Sequence, residues 1–226
     1  MSQSMTQLPQ WLHDIDPRAT ADVDPALFEA VRTAYDSPGR FYHSWSHILA
    51  CLDEYRKLTF DQPRAVLLAL LFHDAVYVPG RKDNEAKSAA FAKERLVQSS
   101  SVPLSEQEKI AQMILHTSSH HAVGNPSADA VKMLDIDLSI LGADWPAYQA
   151  YAAGVRREFC PAVVSEFAFR IGRLKFLRAV QGQKRVFLTE EMQVRREKTA
   201  RANIAREVAE LEIEAGLAGR IFARFW

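Results

Sequence analysis

Histidines four residues apart occur twice in this chain, at His43/His47 and His116/His120, and a third, His73, is followed directly by Asp74. On a helix, residues four apart share a face, so each pair could turn two imidazoles toward one point. Neutral imidazoles and carboxylates together make a nitrogen and oxygen donor set for divalent cations such as Mn, Fe, Ni, Zn or Mg. Asp135 and Asp137 add carboxylates further on, and His121 adjoins His120. Each residue also has a plain structural reading. His73 can close a helix and Asp74 can open a turn, while His120 and His121 can lie in an exposed loop with His116 at a helix end.

The elements that must position these groups can be read from apolar patterning. Ala65 to Phe72 is apolar at every position. A helix with no polar face belongs in the interior, and the Leu/Ala composition favours helix over a buried strand. His73 and Asp74 would then stand at the edge of a core, where buried polar groups need partners. A shared ion would satisfy both.

Before this helix (Arg64 to Val76), the pattern predicts a short one from Pro25 to Tyr35, a turn at Ser37-Pro38-Gly39-Arg40, and a second from Phe41 to about Leu58 bearing His43 and His47. After the loop Pro79–Asp83, either Asp83 or Asn84 can cap a helix from Glu85 to Val97. Ser105 with Glu108 fits a capping box opening a helix through Ser118, and Ser127 can cap one from Ala128 to Leu141, ended by Gly142. Pro146 to Phe159, Val163 to Val180 and a long segment from Thr189 to about Ala215 complete the set. No segment alternates as a strand, so the expected fold is all-α. It is a compact multi-helix bundle of one domain over 1–226, with 1–10 frayed and 146–220 packed on the core.

Composition narrows the function. Lys plus Arg and Asp plus Glu number 28 each, so the chain has no global field to draw nucleic acid or an anionic membrane. A local basic patch around an anionic substrate remains compatible with that balance. The longest apolar run has eight residues, too short for a bilayer, and Met1 to Trp11 contains no Lys or Arg. The expectation is a soluble, cytoplasmic protein with Cys51 and Cys160 reduced and buried. Trp45, Phe72, Trp145, Phe159, Phe167, Phe169 and Phe176 read as core, and Arg156, Arg157, Arg195, Arg196 and Arg201 as a face balanced by Glu158, Glu197 and Glu207. A terminal apolar series, Leu211, Ile213, Leu217, Ile221 and Phe222, could pack internally or pair two copies as a homodimer.

Taken in order, Arg40-Phe41-Tyr42-His43-Ser44-Trp45-Ser46-His47, Phe72-His73-Asp74-Ala75-Val76-Tyr77, Asn84-Glu85-Ala86-Lys87-Ser88-Ala89 and Asp135-Ile136-Asp137-Leu138-Ser139-Ile140-Leu141-Gly142 resemble a bacterial family of metal-dependent phosphohydrolases in the HD superfamily. The likeness extends to Glu197, Ala200-Arg201 and Asn203-Ile204. It implies that His47, His73, Asp74 and Asp137 hold a divalent metal ion, and that a metal-activated water cleaves a nucleotide or small phosphorylated metabolite. Asp74 could also take that water's proton. His43 competes with His47, and Asp135 with Asp137. His47 is preferred because Ile48, Leu49 and Leu52 continue it like a ligand helix, and Asp137 because it heads Asp-Leu-Ser-Ile-Leu-Gly. Asp135 would then orient a neighbour or face solvent.

Around the ligands, Arg40 could clamp a phosphate and Glu85 could hold a water, with Tyr42, His43, Asn84 and Lys82 lining the pocket. Plain alternatives are surface pairing for Arg40 and Lys82 and helix-dipole compensation for Glu85. Some HD relatives hold a second metal with additional histidines, which here would be His116 and His120, and certain of these are dinuclear iron oxygenases. A metal-stabilised binding module whose catalysis has lapsed is the third reading.

Overall fold

The apolar run forms a helix, Pro63–Phe72, and Ala65 through Phe72 are each at most 1% exposed. This helix, α5 in chain order, has no solvent side. The computed structural model describes residues 7–21, 23–98, 101–118, 124–214 and 216, and among them there is no strand. The fold is all-α. None of its helices is long and apolar enough to cross a membrane, among the described residues.

The chain divides into two compact units, Met1–Asp137 and Leu138–Trp226. In the first, α5 packs against α2 (Pro17–Thr20), α4 (Trp45–Tyr55), α6 (Asn84–Val97), α7 (Leu104–His116) and α8 (Ala128–Asp137). The short α1 (Gln10–His13) precedes them, and α3 (Pro25–Ala34) adds Leu27, Phe28 and Val31 to the same core. Burying eight consecutive side chains is what holds α5 central, since each fully buried aliphatic contributes about 1.5–3 kcal/mol relative to exposure.

The start of α5 is fixed from a distance. Asp129 of α8 accepts hydrogen bonds from the Asp61 and Gln62 amides at 3.1 and 2.8 Å, satisfying donors a helix start leaves open. Arg64 pairs in bidentate fashion with Glu106 of α7 at 2.9 and 2.5 Å.

Several boundaries differ from expectation. Helix α4 begins at Trp45, so Phe41 to Ser44 form a turn and His43 is not on the helix with His47. Helix α5 stops at Phe72, with His73 as its closing residue. Asp83 precedes α6 without capping it, because Arg81 engages its carboxylate at 2.7 and 2.6 Å. The Ser105/Glu108 box does not form. Pro103, with its preset φ, already stands at the start of α7, and Glu108 instead pairs with Lys93 at 2.8 Å. Ser127 does cap α8, accepting from the Ala130 amide at 3.2 Å, but regular α-helix ends at Asp137.

The second unit opens with a tighter 3-10 turn, Leu138–Gly142, followed by α9 (Trp145–Phe159), α10 (Glu166–Gln181), α11 (Glu190–Met192), a π-helical turn (Gln193–Glu197) and α12 (Lys198–Glu214). The expected single long last helix is therefore broken into three. A Cβ on Gly142 would meet the Arg196 Cβ at 2.6 Å and its carbonyl oxygen at 2.9 Å, so only glycine allows the 3-10 turn to touch the π-helical one. Asn203 donates to the carbonyls of Leu141 and Ala143, both at 2.9 Å. Inside, Arg173 forks onto Glu207 at 2.8 and 2.9 Å, and Tyr148 donates to the same carboxylate at 2.5 Å.

Glu197 accepts from the Val186 and Phe187 amides and from Arg201, so these residues tie the unit together. Phe167 is 55% exposed, contrary to a core role, because α10 starts at Glu166 and turns Phe169 inward instead. Cys160 is half-buried where full burial was expected. Leu211 is buried and Ile213 exposed, while Leu217, Ile221 and Phe222 lie outside the described residues, as do Met1 to Thr6 of the N-terminal stretch.

Candidate metal centre

His47 sits in the first turn of α4, His73 and Asp74 follow α5, and Asp137 ends α8. These three elements converge. His47 Nε2 lies 3.2 Å from His73 Nε2, 3.2 Å from Asp137 Oδ1 and 3.8 Å from Asp74 Oδ2. His73 Nε2 lies 3.3 Å from Asp74 Oδ2 and 3.4 Å from Asp137 Oδ1. His47, His73 and Asp74 are buried and placed so that they could hold a metal ion.

The donor set fits such an ion. Ligand atoms about 2.1 Å from a common centre stand about 3.0 Å apart at a right angle and about 3.4 Å at the tetrahedral angle. Four of the separations, at 3.2–3.4 Å, fall in that range, and His47 to Asp74, at 3.8 Å, lies above it. With both imidazoles neutral, two carboxylates give the group a charge of −2, which a divalent cation balances. His73 is oriented for it. Its Nδ1 donates to the Leu70 carbonyl at 2.8 Å, and since a carbonyl only accepts, Nδ1 carries the proton and neutral His73 keeps its lone pair on Nε2.

The electrostatics show how strongly the groups feel one another. Burial alone would lower the His73 pKa, yet the Asp74 and Asp137 carboxylates raise it well above the ordinary histidine value. Burial likewise works to raise Asp74, but the charge and hydrogen bond of His73 bring it well below the usual carboxylate range. For Asp137, burial is outweighed by hydrogen bonds from His47 and His73, and its pKa falls too. Without metal, the raised affinity of His73 for a proton supplies positive charge beside the two carboxylates.

A shell of side chains fixes this end of α5. The Tyr35 hydroxyl donates to the Leu71 carbonyl at 3.0 Å and accepts from the Asp74 amide at 3.2 Å. Arg40 donates to the carbonyls of Asp74 at 2.6 Å, Ala75 at 2.8 Å and His43 at 3.0 Å, with its guanidinium over the Tyr35 and Tyr77 rings. Its fork thus grips backbone, where the sequence suggested a phosphate clamp. Asn84 and Ser88, one turn apart on α6, each bond both ways with one residue of the loop that joins α5 to α6. Asn84 meets the amide and carbonyl of Val78 at 3.0 Å, and Ser88 those of Val76 at 3.1 Å. Asn84 thus secures the loop.

The remaining expectations sort clearly. His43 stacks on Tyr77, with ring centroids 3.9 Å apart, and the Tyr42 ring lies 4.8 Å from that of His47. These three half-buried rings form a wall beside the donors. Asp135 is fully buried, not solvated, and belongs to neither candidate ligand group. Glu85 is half-buried in the first turn of α6 and Lys82 is exposed, and neither joins a ligand group. His116, half-buried at the end of α7, also joins neither, and His120 lies outside the described residues.

Three contributors escaped the sequence reading. Tyr35 reads in the sequence only as the end of a short helix, and Tyr77 only as part of the stretch Phe72–Tyr77, with no role of its own. Cys51 had a visible signal, its spacing of four from His47 on one helix face, but was read only as a buried thiol. Compared with known proteins, the chain matches no family model, no curated protein and no solved structure.

Proposed function

We propose that the chain is a metal-dependent phosphohydrolase of the HD type, holding a divalent cation with His47, His73, Asp74 and Asp137 and cleaving a nucleotide or a small phosphorylated metabolite. The observation that carries this reading is the meeting of His47 and His73 with Asp74 and Asp137 at 3.2–3.8 Å, in a buried position reached from three separate elements. When bound, the ion supplies a Lewis acid that neutralises phosphoryl charge and lowers the pKa of a water molecule. The chain's own part is positional. Leu70 sets the tautomer of His73, while Tyr35 and Arg40 hold the backbone that carries Asp74. Asp74 is the carboxylate suited to accept the attacking water's proton. Tyr42, His43 and Tyr77 offer rings against which a base or sugar can lie.

The test is a panel of phosphorylated metabolites and an aryl phosphate, presented to protein stripped of metal and reloaded with Mn, Fe, Ni, Zn or Mg in turn. Metal-dependent phosphate release, abolished in Asp74→Ala with circular dichroism unchanged, is the expected result. Tight metal binding without hydrolysis of any phosphate ester would overturn the enzymatic reading and leave a binding module.

A further inference from the structure

The second unit carries a cleft of about 200 Å³ between α9, α10 and α12. Trp145, Tyr148, Ala152 and Ala153 line it from α9, Phe169 from α10 and Leu211 from α12. The α9 positions recur every three or four residues, so they form one stripe along that helix. Tyr148 stacks on Trp145 with ring centroids 5.4 Å apart, and the Arg206 guanidinium lies 3.9 Å over the Trp145 ring. The α12 rim is acidic. Glu210 and Glu214 pair with Arg206 and Arg170 at 3.1 and 3.3 Å, yet 47% and 45% of their side-chain surface stays exposed. An apolar floor inside a charged rim is the make-up of a surface that receives another segment.

Regular α12 ends at Glu214, which lines the cleft, and Gly216 takes a left-handed φ of +64°, the conformation with which helices commonly stop and turn aside. Residues 217–226 follow, outside the described residues. They include Leu217, Ile221, Phe222, Phe225 and Trp226, with Arg220 and Arg224 and no acidic residue. Side chains of that kind need an apolar surface to lie against.

We infer that residues 217–226 turn back at Gly216 and close the cleft of their own chain, with apolar side chains against Trp145, Phe169 and Leu211 and arginines facing Glu210 and Glu214. Reach supports this occupant: ten residues span about 15 Å even as helix, while the α12 side of the cleft, Glu207 to Glu214, spans about 10 Å. Charge supports it too, since two arginines without an acid meet an acidic rim. The tether favours the same chain over a second copy, because so short a linker gives an effective concentration in the millimolar range. The inference is independent of the metal centre.

Hydrogen exchange read by mass spectrometry tests it on the full chain and on a chain ended after Gly216. Removing residues 217–226 should speed exchange over 145–156 and 207–214 about tenfold and leave α5 unchanged. Both proteins should sediment as monomers. A synthetic peptide of residues 217–226, added to the shortened chain, should restore the protection. Arg220→Glu with Arg224→Glu in the full chain should speed exchange in the same stretches, and it decides alone if the shortened chain does not fold. Unchanged exchange in the variants would overturn the inference. So would faster exchange that the peptide does not reverse, which marks a general loss of stability. Protection that rises with protein concentration alongside a sedimenting dimer would overturn it as well, by assigning the segment to a second copy.

Discussion

His47 and His73 present the same ring nitrogen, Nε2, to each other across 3.2 Å. With the His73 Nδ1 proton given to Leu70, a neutral His73 turns its Nε2 lone pair into that space, where a cation between the two rings would be held. A divalent cation should therefore stabilise the chain markedly. At a hundred times its dissociation constant the gain is about 2.7 kcal/mol. Thermal unfolding with and without chelator measures it, and His47→Ala or His73→Ala should abolish the shift.

Arg40 acts on the site through backbone. Arg40→Ala should destabilise the protein by about 2–3 kcal/mol, since the Asp74 and Ala75 carbonyls lose charged donors. It should also weaken metal binding about tenfold, as loss of an outer support does. Arg40→Lys should rescue little, because one ammonium cannot span three carbonyls. Denaturant unfolding and metal titration together distinguish this from a phosphate clamp, whose removal would raise KM and leave metal affinity alone.

Gly142→Ala should cost about 1–3 kcal/mol by forcing apart the 3-10 and π-helical turns. Arg196→Ala should not relieve the strain, because the obstructing atoms are its Cβ and main chain. Chemical denaturation of the single and double variants checks both statements.

Much of this was legible from residue order, and the rest depended on contacts that order does not encode. The buried helix ending in His73-Asp74 could be read because eight apolar residues leave no solvent face. Asp137 could be separated from Asp135 only by analogy, and the structure tells them apart: Asp137 stands 3.2 Å from His47 Nε2, while Asp135, fully buried, joins neither ligand group. Arg40 could not be read. An arginine after a Pro-Gly turn carries no sign that its partners are carbonyls more than thirty residues away. The π-helical turn was equally silent, since its close approach to Gly142 is a contact between segments distant in sequence.

Asp16 offers a pH test remote from the metal group. It caps α2, accepting from the Arg18 and Ala19 amides at 3.0 and 3.3 Å, and receives the Tyr55 hydroxyl at 3.2 Å. Partial burial works to raise its pKa, but these hydrogen bonds prevail and lower it. A depressed carboxylate pKa contributes stability that is present above about pH 3.9 and lost as pH falls through the folded value. Asp16→Ala should cost about 1 kcal/mol at neutral pH, with the gap to wild type narrowing below about pH 4. Urea unfolding at pH 7 and pH 3 follows both quantities.

Helix α5 is enclosed on every side, and this gives it no spare angle. Turning it by a single residue would swing His73 through about 100° and would also press its eight buried side chains into misfit. The aim of that imidazole is thus set along the whole rod behind it. A bulkier residue at Ala69, a full turn away, is as direct an attack on the centre as a change at the ligand.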